Sequence, residues 1–338
     1  MDLHNILKNL NQDEKVELAQ LLHRELNVPD LGLVSKDIGN DRPVHCPHCE
    51  GSDIYGHGHY KGRRRYKCMS CQKTFNDFTG TAVHGIKKLE KFQEYLLLVV
   101  ESVTIREAAE KIEVNVKTIF DWRHKLLSSL KALNGTEFSG IVECDDKQLD
   151  INEKGRRDLG RAPYKRPSDR ETKRGVSNDK ISIMVASDRN GGKTMHVAKL
   201  GRIDAESVQN TIGAFVAPDN VLCSDSHPSI IKWARNEKLE HHTFVAARQH
   251  VKDRCYHVQH VNSLDNRYER WIKRFYGVST KYLQGYLNWF VFLEKVKSSA
   301  VQGLELARCV AMNIGAIKTY GSIERKYGEL MIPQRSTT

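Results

Sequence analysis

The stretch IVECDDKQL, residues 141–149, places three acidic side chains inside a run that otherwise has the composition of a β-strand. Alternation along a strand puts Glu143 and Asp145 on one face and Cys144 and Asp146 on the other. A carboxylate inside an apolar strand is costly to bury unless it is paired with a cation or bound to a metal. Asp145 is therefore a candidate metal ligand.

Outward from this stretch, further strands and helices are predicted. The runs KISIMVAS (180–187), MHVAKL (195–200) and NVLCSD (220–225) are rich in β-branched residues and bounded by Gly, Asn or Asp, as strands are. Helical spacing covers residues 204–216, 228–237 and most of 256–301, with a break near Gly277. Consecutive strands followed by alternating helix and strand predict an α/β domain over residues 138–298, with a mixed sheet flanked by helices.

A second set of polar residues follows Asp145 along the chain. Asp225 ends the run NVLCSD, and the carboxyl end of a strand opens into a crevice where ligands bind. Asn262, Asp265, Glu269 and Lys273 recur at spacings that form one polar stripe on a helix. Oxygen ligands of this kind hold the paired divalent cations that cleave phosphodiesters. The alternative for the stripe is a solvated face with a Glu269–Lys273 ion pair.

Two CxxC pairs, separated by 18 residues, lie nearer the N-terminus within residues 41–80. Their members are Cys46, Cys49, Cys68 and Cys71. This spacing is typical of a zinc ribbon, and four thiolates close a tetrahedral site without leaving a position for water. We therefore predict structural Zn²⁺ rather than catalytic zinc, with a redox role for the CxxC pairs as the alternative.

The segment KGRRRYK, residues 61–67, runs between the CxxC pairs with five basic residues out of seven. On a zinc ribbon this segment is predicted to form a hairpin strand that presents Arg63, Arg64 and Arg65 to DNA phosphates. The alternative is a solvated charged face. Further on, residues 154–174 contain nine basic residues and three acidic ones, and are predicted to form a long basic loop.

Residues 85–133 have the pattern of helices around a short turn. One helix is predicted over LEKFQEYLLLVV, and two more are separated near Val114-Asn115. The last helix has the size and polarity of a recognition helix for the DNA major groove, with Lys117, Thr118 and Arg123 as candidate DNA contacts. Many helical hairpins share this pattern without binding DNA, so helix packing alone is the alternative.

The composition limits the classes of partner. Lys plus Arg number 53 against 42 Asp plus Glu, a net charge of +11 over 338 residues that favours a polyanion such as nucleic acid. The longest apolar stretch has about six residues, far short of a membrane span, and the N-terminus has no signal-peptide pattern. We expect a cytoplasmic protein.

The two terminal segments lie outside these motifs. Residues 1–40 are predicted to hold a helix over 12–26, capped by Asn11 and Glu14, followed by a linker. Residues 299–338 are predicted to form a tail without an assigned role.

Taken together, several of these motifs resemble those of a known protein family. The CPHC and CMSC pairs, VECDD, LCSD and the block YHVQHVNSLDNRYERWIKRFYGVSTKYLQGYLNW (256–289) resemble DDE-type transposases of bacterial insertion sequences. The resemblance is to the branch that has an N-terminal zinc ribbon and an Asn as its third catalytic residue. It covers about residues 40–295 and implies an RNase H-like catalytic domain.

The resemblance also implies roles for individual residues. Asp145, Asp225 and Asn262 would be the first, second and third ligands of catalytic Mg²⁺ or Mn²⁺, and Lys273 would contact a DNA phosphate. Because a neutral Asn binds a divalent cation less strongly than a carboxylate, Asp265 and Glu269 stay open as alternatives. A metal held by the two Asp carboxylates and the substrate phosphate is a further alternative. Asp146 and Glu143 are expected to support the site. His257 and His260 are expected either to contact phosphate or to serve in packing or helix capping.

The function expected from the resemblance is transposition. The protein would bind the terminal inverted repeats of its own element as double-stranded DNA, cut the strand, and join the freed 3′-hydroxyl to target DNA. Because two ends are joined in one reaction, a homo-oligomer is expected. The alternatives are a non-catalytic DNA-binding regulator, which includes an inactive transposase remnant, and a metal-dependent nuclease that cuts without joining.

Overall fold

The computed structural model describes residues 3–11, 45–60, 62–135, 137–155, 180–244 and 255–313, together with scattered positions among residues 14–35. The chain forms two compact units, Met1–Leu130 with Val296–Thr319, and Lys131–Lys295 with Tyr320–Thr338. Most of the predicted basic loop, residues 156–174, lies outside the described residues.

The regular elements are numbered in chain order. The strands are β1 (Ile54–Tyr60), β2 (Arg63–Cys68), β3 (Thr74–Phe75), β4 (Ile141–Asp150), β5 (Lys180–Asp188), β6 (Lys193–Leu200), β7 (Val221–Asp225) and β8 (Glu240–Phe244). The α-helices are α1 (Leu3–Asn9), α2 (Leu89–Val100), α3 (Ile105–Lys111), α4 (Val116–Ser129), α5 (Ala205–Gln209), α6 (Pro228–Asn236), α7 (Gln259–Lys273), α8 (Leu283–Val296) and α9 (Gln302–Met312).

The N-terminal segment of the first unit keeps one predicted feature. Asn11 and Glu14 exchange side-chain to backbone hydrogen bonds of 2.7 and 2.9 Å, which confirms the capping box. Most of the helix predicted to follow lies outside the described residues. The segment predicted to be a linker differs from that expectation, because Leu31 and Val34 are helical and buried.

The rest of the first unit contains a small sheet and a group of helices. Strands β1, β2 and β3 pair in that order, all antiparallel. Helices α2, α3 and α4 match the predicted helical segments, with the side chains of Thr104 and Asn115 capping α3 and α4. Helix α9, within the tail that was assigned no role, contacts α2 and α4.

The second unit is built on a five-stranded mixed sheet in the order β6-β5-β4-β7-β8. Strands β4, β5 and β6 are antiparallel neighbours, whereas β7 and β8 run parallel to β4. This arrangement, with helices on its faces, confirms the predicted RNase H-like α/β fold. Strand β8 was not predicted, because its sequence, EHHTF, is polar. It lies at the edge of the sheet, where polar residues are common in strands.

The two faces of this sheet are covered differently. Val142 and Cys144 of β4 pack with Val208 and Trp233, so α5 and α6 cover an apolar face. Helix α5 is shorter than the helix predicted there and is followed by a 3₁₀ turn at Gly213–Phe215. Helix α7 lies over the other face and packs against α8 through an aromatic cluster. Its members are Tyr268, Trp271, Phe275, Tyr286, Trp289 and Phe290.

Among the helices of the described ranges, none combines the length and apolar character that a membrane span requires.

Candidate catalytic and metal-binding sites

Three carboxylates converge at the carboxyl end of β7. Asp145, Asp146 and Asp225 each contribute an oxygen, and these oxygens all lie within 4.8 Å of one another. The sheet brings them together because β4 and β7 are parallel neighbours whose last registered pair is Cys144 and Ser224. Asp145 and Asp225 are the next residues on the two strands, so the structure brings together the two carboxylates that the sequence singled out.

Asp146 is a member of this cluster that the sequence reasoning missed as a potential ligand. Simple alternation turns it to the opposite face from Asp145. The pairing of β4 with β7 ends at Cys144, however, so no β7 residue is registered beside Asp146, and its carboxylate reaches the same region as the other two. The pair of adjacent Asp residues was the available signal.

The electrostatics of the cluster favour a cation. Burial and the nearby Asp225 carboxylate raise the pKa of Asp145 from 3.8 to about 7. Burial likewise raises the pKa of Asp146, although His227 and Arg202 oppose the shift. Carboxylate oxygens are the ligands that Mg²⁺ and Mn²⁺ prefer, so this donor set fits divalent cations.

Helix α7 brings the predicted polar stripe to the same sheet face. The Lys147 Nζ atom lies 2.5 Å from Asp265 Oδ2 and 2.6 Å from Glu269 Oε1. Glu269 thus forms an ion pair with Lys147 on β4. The alternative considered from the sequence paired it with Lys273 on its own helix. The Lys147 hydrogen bond lowers the pKa of Glu269, while burial raises that of Asp265.

Two members of the stripe remain exposed, Asn262 and Lys273. Asp265 differs from both, because its second oxygen, Oδ1, is buried and accepts no hydrogen bond from the residues that the structure describes. The position of Lys147 could have been anticipated, since it is two residues beyond Asp145 on the same strand face.

Glu143 occupies the corresponding position on the other side of Asp145, and it is fully buried. Its Oε2 atom accepts hydrogen bonds from the backbone N–H groups of His260 (2.7 Å) and Val261 (3.2 Å). The His260 ring and Arg189 contact its Oε1 atom. His257 Nδ1 is 3.3 Å from the same oxygen. Of the roles predicted for the two histidines, the described contacts are those of packing, since both rings lie against the buried Glu143 carboxylate.

The four cysteines of the ribbon form a second cluster. All four sulfur atoms lie within 4.8 Å of one another, with Cys46–Cys71 and Cys49–Cys68 Sγ separations of 3.6 Å. Thiolates around zinc, with Zn–S bonds of about 2.3 Å, place neighbouring sulfurs roughly 3.8 Å apart. The observed separations are close to that value, so the cluster fits the predicted structural zinc.

The turns that carry these cysteines are alike. The residue after each CxxC pair has a positive φ, 62° at Glu50 and 57° at Gln72. Non-glycine residues seldom adopt this conformation, so its recurrence shows that both turns fold in the same way. Backbone hydrogen bonds from Cys71 and Ser70 contribute to lowering the pKa of Cys68 to about 6. A backbone hydrogen bond from Gly51 also favours the Cys49 thiolate, but hydrogen bonds with Cys71 and Cys68 raise the pKa of Cys49 to about 12, so the four thiols titrate as one interacting set.

The three arginines of β2 have different surroundings. Arg63 is half-buried, with its guanidinium 3.6 Å from the centre of the Phe78 ring, and burial lowers its pKa. Arg65 donates to the Thr74 side chain at 3.3 Å. Only Arg64 of the three is exposed, so it is the best placed to meet a phosphate.

The recognition-helix prediction needs a correction at Arg123. Lys117 is exposed and Thr118 is half-buried, but Arg123 is fully buried. Arg123 Nε donates to the hydroxyl of Tyr95, and its Nη2 donates to the carbonyl of Val103 at 2.7 Å. The Arg123 side chain therefore joins α4 to α2 and to the turn before α3, where DNA does not reach it.

Comparison with known proteins finds a match to a family model over residues 137–294. This segment matches the family model described as the ISXO2-like transposase domain. A relative from Halobacterium salinarum, named as an uncharacterized protein in transposable element ISH50, is 29% identical over 152 residues. The match covers 44% of this chain and 51% of the relative, so the chain spans about half the length of that protein.

Two solved structures show weak similarity. The crystal structure of the Mos1 strand transfer complex is 13% identical, with 69% of this chain and 79% of that chain covered and a TM-score of 0.25. The pre-cleavage Mos1 transpososome is also 13% identical, with coverage of 69% and 80% and a TM-score of 0.20.

Proposed function

We propose, from the match of residues 137–294 to the ISXO2-like transposase domain, that this chain is a DNA transposase. It binds the inverted-repeat ends of its element, cleaves one strand there and transfers the freed 3′-hydroxyl to target DNA. The observation that carries this proposal is the convergence of Asp145, Asp146 and Asp225 at one end of the sheet.

The carboxylates would hold the divalent cations of the reaction. Asp145 and Asp225 come from adjacent strands, so their positions are fixed by the sheet, and Asp146 supplies a further oxygen. When bound there, Mg²⁺ or Mn²⁺ supplies an activated water and charge stabilisation at the leaving oxygen.

We assign the third ligand to Asn262. Lys147 already pairs with both Asp265 and Glu269, whereas Asn262 is exposed on the same stripe of α7. Its amide oxygen is a suitable ligand for a hard cation. Asp265 keeps one buried oxygen without a hydrogen-bond partner among the described residues, which makes Asp265 the competing candidate for the third ligand. Comparing the cleavage activity of Asn262→Ala with that of Asp265→Asn tests the assignment.

Lys273 would contact the DNA. It is exposed at the end of α7, three turns beyond Asn262 on the polar stripe. A Lys ammonium at this place can meet a donor or target phosphate as a point charge without taking part in proton transfer. We expect its loss to weaken productive binding of DNA rather than binding of the cation.

The first unit would recognise the DNA ends. Arg64 on the ribbon and Lys117 on α4 are exposed and basic, and the chain as a whole carries +11. Contacts to phosphate from such residues position a protein on DNA, and base contacts add sequence preference. Joining two ends in one reaction requires two catalytic domains, so the active complex would be a homo-oligomer.

The test uses the full chain and duplex DNA that carries the inverted repeats found beside its gene. With Mg²⁺ we expect a cut that leaves a 3′-hydroxyl, followed by joined products. Asp145→Asn and Asp225→Asn should abolish cutting and joining and retain DNA binding. Asp219→Asn, at an exposed position before β7, is the matched control.

The outcomes separate the alternatives. Binding without any cut, in both the parent protein and the variants, would identify a non-catalytic regulator and end the transposase proposal. Cutting that never yields joined DNA would identify a nuclease. Cutting that persists in Asp225→Asn would show that the carboxylate cluster is not the catalytic site.

A further inference from the structure

We propose that Glu143 and Lys147 are positioning residues that hold helix α7 in one register against β4, so that Asn262 faces the carboxylate cluster. The two residues flank Asp145 at equal distance along one face of the strand. This inference deepens the proposed function and rests on it for the role of Asn262. The anchoring itself stands on contacts that are independent of the reaction.

The first anchor is at the start of α7. The residue before the helix, Val258, provides no side-chain cap, and the helix has no acidic residue in its first turn. Glu143 replaces both, since its buried carboxylate accepts from the N–H groups of His260 and Val261. A carboxylate at this position satisfies amides that otherwise lack partners and opposes the positive end of the helix dipole. Asn262 is the next residue along the helix.

Arg189, at the end of β5, secures the Glu143 anchor. Its Nε atom donates to Glu143 Oε1 at 3.0 Å, and its Nη2 atom donates to the carbonyl of Cys255 at 2.7 Å. Cys255 lies just before α7. The guanidinium therefore joins the buried carboxylate to the chain that leads into the helix, which leaves Glu143 with charge-assisted partners on both sides.

The second anchor is one turn further along α7. Lys147 Nζ reaches Asp265 at 2.5 Å and Glu269 at 2.6 Å, and the Lys147 side chain is only 12% exposed. Two carboxylates four residues apart lie on the same face of a helix. A single ammonium that contacts both therefore fixes the rotation of the helix about its axis.

The Glu143 and Lys147 anchors together fix both the start of α7 and its rotation, which a single anchor would not. A contact at His260 alone lets the helix pivot, and a contact at Asp265 alone lets its first turn fray. Asn262 lies between the anchored positions, so its side chain has a fixed direction although it is exposed. Rigid placement matters because a misplaced ligand or reacting group costs much of the rate.

The first measurement is hydrogen–deuterium exchange of the metal-free, DNA-free protein. In Glu143→Gln, amides of residues 260–263 should exchange about tenfold faster, the effect of losing one charge-assisted hydrogen bond. Lys147→Met should have the same effect around Asp265. Lys147→Arg keeps the charge and should restore slow exchange. The controls are Glu137→Gln and Lys232→Met, which change exposed side chains.

The second measurement maps the cation site by Fe²⁺-mediated cleavage of the polypeptide. The parent chain should be cut near Asp145, near Asp225 and near Asn262. In Glu143→Gln and Lys147→Met the cut near Asn262 should fall about tenfold, with the strand cuts retained. A merely structural defect would weaken all cuts together, so the ratio of the cuts distinguishes positioning from general destabilisation.

Each result decides a different question. Unchanged exchange at residues 260–266, or an unchanged cut near Asn262 in both variants, overturns the positioning inference and leaves the proposed function intact. Absence of strand cuts in the parent chain counts against the proposed function, while exchange still decides the anchoring. If Glu143→Gln fails to fold, Lys147→Met and Arg189→Lys carry the same measurements.

Discussion

Asp145 on β4 and Asp225 at the end of β7 hold carboxylate oxygens within 4.8 Å of each other. Their strands are parallel neighbours, so the sheet itself maintains this separation. Burial, together with the repulsion between two carboxylates at such a distance, raises the pKa of Asp145 to about 7. A divalent cation between them would remove the repulsion, which leads to the first prediction.

Magnesium is expected to stabilise the protein in a pH-dependent way. Above about pH 7, where Asp145 is ionised, Mg²⁺ should raise the melting temperature, and the effect should fade as the carboxyl protonates at lower pH. Asp145→Asn should abolish the effect at every pH, and Asp219→Asn should preserve it. Melting curves with and without Mg²⁺ test this. A magnesium effect that is equal on both sides of pH 7 would contradict it.

Without divalent cations the same residue is expected to destabilise the fold. The folded-state pKa of Asp145 lies above its ordinary value of 3.8, so ionisation penalises the folded state as pH rises from about 4 to about 7. Asp145→Asn removes that penalty and should raise the free energy of unfolding at pH 8 by about 1–3 kcal/mol. At pH 4 or below no gain is expected. Urea unfolding at the two pH values gives the comparison, and a variant less stable at pH 8 would refute the sign.

The ribbon is expected to bind one zinc ion per chain. Cys49→Ser removes one of four converging thiolates, so zinc content should fall to roughly none and β1–β3 should become sensitive to protease. Cys255→Ser, outside the cluster, should retain full zinc. Metal analysis and limited proteolysis measure the two effects. Retention of tightly bound zinc by Cys49→Ser would argue for a different ligand set.

Arg123 is expected to matter for stability. Its buried guanidinium bonds to Tyr95 and to the carbonyl of Val103, and Arg123→Met leaves those buried acceptors without their donor. The free energy of unfolding should drop by about 2–4 kcal/mol. Lys117→Ala, on the exposed side of α4, should change it by less than about 0.5 kcal/mol. Equal stabilities in chemical denaturation would show that Arg123 is not structural.

The exposed basic residues are expected to act through phosphate contacts. Arg64→Ala and Lys117→Ala should each weaken binding to all duplexes and reduce the slope of log affinity against log salt by about 0.9. Lys232→Ala, exposed on α6, is the control. Binding titrations at several salt concentrations measure the slope. A loss confined to one DNA sequence would instead indicate base recognition.

Much of the architecture could be predicted because local patterns determine it. The cysteine spacing predicted the cluster at residues 46–71, and the boundaries of α2 follow directly from the run LEKFQEYLLLVV. Strand β8 could not be predicted, because an edge strand need not be apolar. The burial of Arg123 could not be predicted either, because the local sequence does not distinguish a helical arginine that contacts DNA from one that packs against Tyr95.

The sequence by itself identified the candidate residues for chemistry, because spacing limits where Cys thiolates and strand carboxylates can lie: the CxxC pairs, Asp145 within its strand and Asp225 at the end of its strand were all evident. Only the tertiary structure decided that Asp146 joins the carboxylates and that Asp265 and Glu269 are paired with Lys147. It also showed the Glu143 carboxylate accepting hydrogen bonds from the first turn of α7. These are contacts between segments far apart in the chain, and local periodicity carries no information about them until the sheet and helix are packed together.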